Sequence, residues 1–230
     1  VSAASDVHTP TAPSVPDARW GTPRRWGVFL LGVLMLGTGV ALSITADVGV
    51  GSWQVFETGL VETTGLPFGI VVIIESLVAL TLAWVWLKQP PGIATVVIAL
   101  GLGPLVGVLL EVLPTPGTLP LGLAQFAVGT LGIGVGVGFY VAAELGPSAQ
   151  DALFVGLYRH YPMRPGTARF LLDASLVVGG FALGGQLGLG TVVITLGLPF
   201  VVEPALRVGH RLAGTRPLAD EVHGHTAAPA

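Results

Sequence analysis

Runs without a charged residue alternate with short polar breaks along this chain, and the runs have the length that a bilayer requires. About 20 residues rising roughly 1.5 Å each cross the hydrocarbon layer. Residues 26–46 form the first run, 68–87 the second with Glu75 as its one charged residue, 93–113 the third and 121–143 the fourth. After Arg169 a further stretch holds only Asp173 before Glu203. As one helix its about 33 residues would extend roughly 50 Å, too far for a single crossing, so it must turn. The sequence GGQLGLG at 184–190 supplies that turn. The pattern predicts an all-α membrane protein with six transmembrane helices.

The basic residues orient these helices. Arg19, Arg24 and Arg25 precede the first run, Lys88 follows the second, Arg159, Arg164 and Arg169 follow the fourth, and Arg207, Arg211 and Arg216 follow the sixth. With six crossings all ten Lys and Arg lie on the side of the N-terminus, which the positive-inside tendency makes cytoplasmic. The opposite loops, 47–67, 114–120 and the turn around Gln186, carry no base. Five crossings would put Arg207, Arg211 and Arg216 outside.

Composition leaves few other classes open. Hydrophobic residues make up 52% and charged residues 10%, so the chain holds more apolar surface than one soluble core could bury. The mean hydropathy is +0.80. Glycine, at 34 residues, is about twice its ordinary usage, as helices packed through small residues require. The net charge of −3 is not organised into a basic patch, which argues against nucleic acid as a partner. With no cysteine, thiolate metal sites, disulfides and cysteine nucleophiles are excluded. No cofactor or metal site is expected. Residues 1–23 and 211–230 are polar, lack a signal-peptide core and are expected to be disordered cytoplasmic tails.

The six runs fall into two copies of one pattern, 24–115 and 116–210. Sliding residues 27–69 over 124–166 without a gap gives 11 identities in 43 positions, against about four for this composition. Gly32, Gly37 and Gly39 fall on Gly129, Gly134 and Gly136, and Gly49 falls on Gly146. Three crossings per copy is odd, so the copies must be inverted, an arrangement found in many transporters.

Each copy also carries a segment that is neither a crossing nor a simple loop. Gly49, Gly51 and Ser52 precede a short helix in the first, and Gly146 and Ser148 precede one in the second. The first pairs a polar face of Gln54, Glu57 and Thr58 with Trp53, Phe56 and Leu60, which suits an interfacial helix or a re-entrant half-helix. In the re-entrant case the helix N-termini would offer backbone N–H groups at mid-depth to a solute or ion. The tryptophans, Trp53 included, read mostly as an interfacial belt.

Two acids fall inside the crossings, where an unpaired carboxylate costs several kcal/mol. Glu75 lies about 10 Å from the outer end of its helix, and Asp173 is about as deep from the inner end of its own. Arg169, four residues before Asp173, can reach it. Asp151, Arg169 and Asp173 read as a cytoplasmic gate or solute site, or, for the last two, as an anchoring ion pair. Glu75 reads as a titratable or cation-binding carboxyl, or as a hydrogen-bonded core acid. Gln54 and Gln150 could extend the polar network. No nucleophile is paired with a base, and no enzymatic activity is expected.

The segments 49–60, 64–69, 145–153 (LGPSAQDAL), 169–173 (RFLLD) and 183–191 (LGGQLGLGT) resemble the YczE/YyaS/YitT family of bacterial integral membrane proteins. The resemblance implies a multi-pass protein of the bacterial cytoplasmic membrane and does not bring an assigned activity with it. That family usually has Arg-Asp where this chain has Gln150-Asp151. Function is expected to be that of a small secondary transporter or exporter of an unidentified solute or ion, or else of a non-transporting scaffold or regulatory component. Lipid is the expected surrounding, and six short helices are compatible with a homodimer.

Overall fold

The computed structural model describes residues 21–161 and 164–215. Among them are eight α-helices: α1 (Pro23–Ala46), α2 (Ser52–Thr64), α3 (Phe68–Thr81, prolonged by a π-helical turn, Leu82–Trp86), α4 (Ile93–Val112), α5 (Leu119–Ala142), α6 (Ala149–His160), α7 (Pro165–Ala182) and α8 (Leu189–Ala213). The tails expected at 1–23 and 211–230 fall mostly outside the described residues, although α8 continues to Ala213 and is closed there by Gly214.

α1, α3 with its π turn, α4, α5 and α8 are long and apolar enough to cross a membrane. Their outward faces carry large apolar side chains such as Val85, Val108 and Phe200. So continuous an apolar exterior would be a liability in water and is ordinary against lipid. The fifth predicted crossing falls on α7, which is shorter, at 18 residues, and carries Arg169 and Asp173.

The centre of the bundle is the α1–α5 pair. Gly32 meets Gly136 and Gly39 meets Gly129, so the two helices run antiparallel with their backbones nearly touching. A methyl group on Gly39 would stand 2.5 Å from the Ile133 nitrogen and 2.6 Å from the Gly129 oxygen. Only hydrogen fits there, which is how small residues bring helices together when lipid removes the hydrophobic drive. Phe29, Val33, Ala94, Ile98 and Tyr140 fill one end of this core, and Val40, Phe68, Val72, Val106 and Ile133 fill its middle.

α8 runs parallel to α5: Gly190 meets Phe126, Gly134 meets Val201, Gly138 meets Ala205 and Gly209 meets Ala142. α4 runs along α1 in the same sense, with Ala94 and Ile98 beside Phe29 and Val106 beside Val40. Where α1 begins, α5 and α8 end. Arg24 donates to the carbonyls of Leu212 and Arg211, and Arg25 donates to those of Ala143 and Glu144, each at 2.7 Å. Those terminal carbonyls have no helical partner and form the negative ends of two helix dipoles, so the arginines satisfy both requirements at once.

After α1 and after α5 the backbone repeats one shape. Asp47 (φ 54°) and Glu144 (φ 52°) turn left-handed, followed by Gly49 (φ 130°) and Gly146 (φ 141°). Gly49 is doubly required, since a Cβ would also lie 2.8 Å from the Thr191 nitrogen at the start of α8. These breaks stop α1 early: Ala46 packs on Phe126 and Ile194, about 10 Å and 7 Å inside the starts of α5 and α8. From there α2 runs outward alongside α7 and parallel to it, with Ser52 at Asp173 and Gly59 at Gly180. Likewise α6 runs along α3, with Gln150 facing Glu75 and Gly156 against Leu87. Both short helices therefore lie lengthwise against longer ones.

Candidate functional site

The four helices α2, α3, α6 and α7 enclose the polar groups. Each short helix packs on the longer polar helix of the other half, α2 on α7 and α6 on α3, and α2–α3 and α6–α7 contacts close the ring.

On α7, Asp173 is held from two sides. Arg169 Nε donates to Oδ2 at 2.8 Å, as their four-residue spacing predicts, and Ser52 Oγ donates to Oδ1 at 2.8 Å. Ser52 is the first residue of α2, so the carboxylate also faces the positive end of that helix. Arg169 spreads its remaining charge over the Phe154 ring, 5.8 Å from its centre.

On α6, Ser148 caps the helix by accepting from the Asp151 N–H, and its hydroxyl donates back to Asp151 Oδ2 at 2.8 Å. The same oxygen accepts the phenol proton of Tyr140 from α5. Tyr140 lies within electrostatic reach of Arg169, so the two networks are neighbours. The trio Asp151, Arg169 and Asp173 is divided: Arg169 pairs with Asp173, while Asp151 belongs to the tyrosine and the serine.

Glu75 has a different situation. It is buried at 7% exposure, and neither carboxyl oxygen makes a hydrogen bond of normal geometry among the described residues. Gln150, in the first turn of α6, is the amide that faces it. Across from it stands Glu57 of α2, 2% exposed, its carboxyl within electrostatic reach of Glu75. Glu57 had been read only as part of a polar face. Its apolar flank is what misled, because Trp53, assigned to the interfacial belt, is itself buried at 7% exposure. Both faces of α2 are covered by protein along its first two turns, while Glu62, Thr63 and Thr64 at its end are exposed. Trp84 and Trp86, in contrast, are well exposed, as a lipid-facing belt requires.

Among the remaining expected groups, Gln54 is half-buried and folds its amide back toward Gly51. Gly49, Gly51 and Gly146 shape the breaks before α2 and α6 without contributing side chains. A second polar cluster ties the loop after α7 to the end of α1 and to α2: Gln186 Nε2 donates to the Ile44 carbonyl and to Asp47 Oδ1 at 2.7 Å, and its backbone N–H donates to Thr58. Among the described residues no group of three or more His, Cys, Asp and Glu could hold a metal ion.

Known proteins place the chain in context. An uncharacterized protein of Haemophilus influenzae is 27% identical over 205 residues, covering 86% of this chain and 94% of the relative. YczE, an uncharacterized membrane protein of Bacillus subtilis, is 25% identical over 173 residues, 75% of this chain and 80% of its own. No solved structure matches. The resemblance carried by residues 49–60, 145–153 and 183–191 thus extends over most of the chain. A profile described as a family of unknown function (DUF6198) matches residues 23–204. With that match and five helices fit to cross a bilayer, the chain is a helical membrane protein and belongs to the DUF6198 family.

Proposed function

We propose that the protein is a small secondary transporter or exporter of the cytoplasmic membrane, built from two inverted repeats of three crossings each, with both termini cytoplasmic. The observation that carries this reading is the crossed pairing of half-helices and acids. The start of α2 meets Asp173 of α7, and the start of α6 meets Glu75 of α3. The two arrangements are alike without being exact repeat equivalents, since Glu75 and Asp173 lie 98 positions apart, one off the 97-residue register: in each, the start of a short helix is aimed at a carboxyl from the opposite half.

Several features support the inversion. α1 and α5 cross antiparallel through equivalent glycines, and the left-handed residues after each are 97 positions apart, Asp47 with Glu144 and Gly49 with Gly146. Because α5 and α8 run parallel, the chain between them has to return across the bilayer, and α7 is the helix available to do it. Its polar side chains are compatible with crossing because Asp173 faces Ser52 and Arg169 rather than lipid.

The halves also differ in the way alternating access requires. α3 packs tightly on α4 through Gly69 and Gly103, whereas their repeat equivalents α7 and α8 hardly touch and flank a groove of about 580 Å³ lined by Val177, Leu187 and Leu196. In the alternative state α7 would close on α8 as α3 leaves α4.

The alternative reading is a non-transporting scaffold, in which the same polar contacts only fix the half-helices. Single cysteines at Ser52 and at Ser148, in a chain that has none of its own, separate the two. A membrane-impermeant thiol reagent reaching each position from both sides of the membrane, in intact cells and in inverted vesicles, is the transporter result. Reaction of each from one side alone, in every condition tested, is the scaffold result.

A further inference from the structure

We infer that Glu57 and Glu75 form a dyad that holds one exchangeable proton between α2 and α3, and that release of this proton lets the two helices part. The coupling to helix movement rests on the transporter reading; the proton site does not.

Helix geometry brings the two acids together. α2 and α3 are joined by the short turn 65–67 and run antiparallel, with Val61 packed near Phe68 and Val72. One turn further along each helix, Glu57 comes opposite Glu75, and the two carboxyls interact electrostatically. Both are more than nine-tenths buried, and neither oxygen of Glu75 makes a hydrogen bond of normal geometry among the described residues, with only the Gln150 amide facing it. A carboxyl pair so enclosed cannot hold two negative charges cheaply, since each would be desolvated and each would repel the other. A single proton between them removes the repulsion and gives the pair a hydrogen bond of its own beside the Gln150 amide.

The surroundings admit one negative charge and not two. α6 brings Gln150 and the positive end of its helix, which can stabilise a single carboxylate. Its Asp151 is engaged by Tyr140 and Ser148. α7 brings Arg169 and Asp173, which are paired to each other, so that base is already matched. α4 meets α3 through Gly103 and Val106 and adds no titratable group there. On release, the O–H bond breaks, the proton passes to water, and two carboxylates remain to push α2 from α3.

The test is infrared spectroscopy of the purified full-length protein across pH, joined to thiol labelling. The expected result is a neutral carboxylic-acid carbonyl band at neutral pH that shifts in heavy water, disappears as pH rises, and is absent from the Glu57→Gln/Glu75→Gln double variant. The band and its isotope shift are read on the wild-type chain, so the result does not depend on a variant that folds poorly. Labelling at Ser52→Cys, divided by that of a solvent-exposed reference cysteine at the same pH to remove the thiol's own titration, should change at least several-fold over the same range, and the ratio should become independent of pH in the double variant. No such band in the wild type, or its persistence in the double variant, overturns the dyad. A titrating band with a labelling ratio that ignores pH overturns the coupling. A band abolished by sodium at constant pH makes the ligand an alkali ion and likewise overturns the proposal. Failure of two-sided access with the titrating band intact would instead sink the transporter reading and leave the proton site standing.

Discussion

Asp173 shows how much one carboxylate can organise. It ties α7 to α2 through Ser52, 121 positions away, and to its own helix through Arg169. A hydrogen bond to a charged group that is partly withdrawn from water contributes about 1.5–3 kcal/mol. A double-mutant cycle of Ser52→Ala and Asp173→Ala should therefore give a coupling of about 1–2 kcal/mol in thermal or denaturant unfolding in detergent. Coupling near zero would mean that the serine faces elsewhere. Ser148 carries a different load, since it caps α6 and donates to Asp151 as well. Ser148→Ala should cost about 1 kcal/mol from the lost cap alone, measured in the same way. The Arg169–Asp173 pair was legible because a spacing of four places both on one helix face. The Ser52–Asp173 bond and the Glu57–Glu75 pairing were not, because they depend on which helices pack together. Glu57 in particular sits in a stretch whose period fits an amphipathic surface helix as well as a buried one.

Helix packing here rests on glycine rather than on bulky side chains. Gly39→Ala should lower stability by about 1–3 kcal/mol, because the added methyl must displace the backbone of Gly129 or Ile133. Gly27→Ala, inside α1 where a Cβ meets nothing within 4 Å, is the matched control and should be neutral or stabilising by up to about 1 kcal/mol in the same thermal unfolding assay. Most helices were readable from the length of uncharged runs, as was the break at 184–190, now occupied by Gly184 (φ 85°) and the Gly188 cap. The close approach of α1 to α5 was readable as well, since the glycines that make it, Gly32, Gly39, Gly129 and Gly136, stand out in the sequence at regular spacing. What the pattern left open was the attitude of α2 and α6. An amphipathic helix of about three turns looks the same whether water and lipid or two protein neighbours lie on its faces. Only the approach of Gly59 to Gly180 and of Gly156 to Leu87 decides between these settings. Pro199 and Pro204 fall inside α8, which continues through both, so they do not divide it as a broken helix would be divided.

The number of crossings is the property on which every transport argument depends, and it can be tested without a substrate. α1 starts where α5 and α8 end, as the Arg24 and Arg25 contacts require, so α5 and α8 run parallel, and if both cross the bilayer they do so in the same direction. A chain leaving α5 on one side cannot enter α8 in that direction unless it first recrosses. The recrossing segment would be α7, about 27 Å long, close to the thickness of the hydrocarbon layer. Its hydropathy understates its fitness, because Asp173 is neutralised by Arg169 and held by Ser52 of α2. Single cysteines at His160, before α7, and at Leu187, after it, should consequently react with an impermeant reagent from opposite sides. Leu187 should label in intact cells, and His160 only in inverted vesicles or after permeabilisation. If both label from the same side, α7 stays on that side, the inverted repeat fails, and the crossed contacts of Ser52 and Gln150 become the internal bracing of a scaffold.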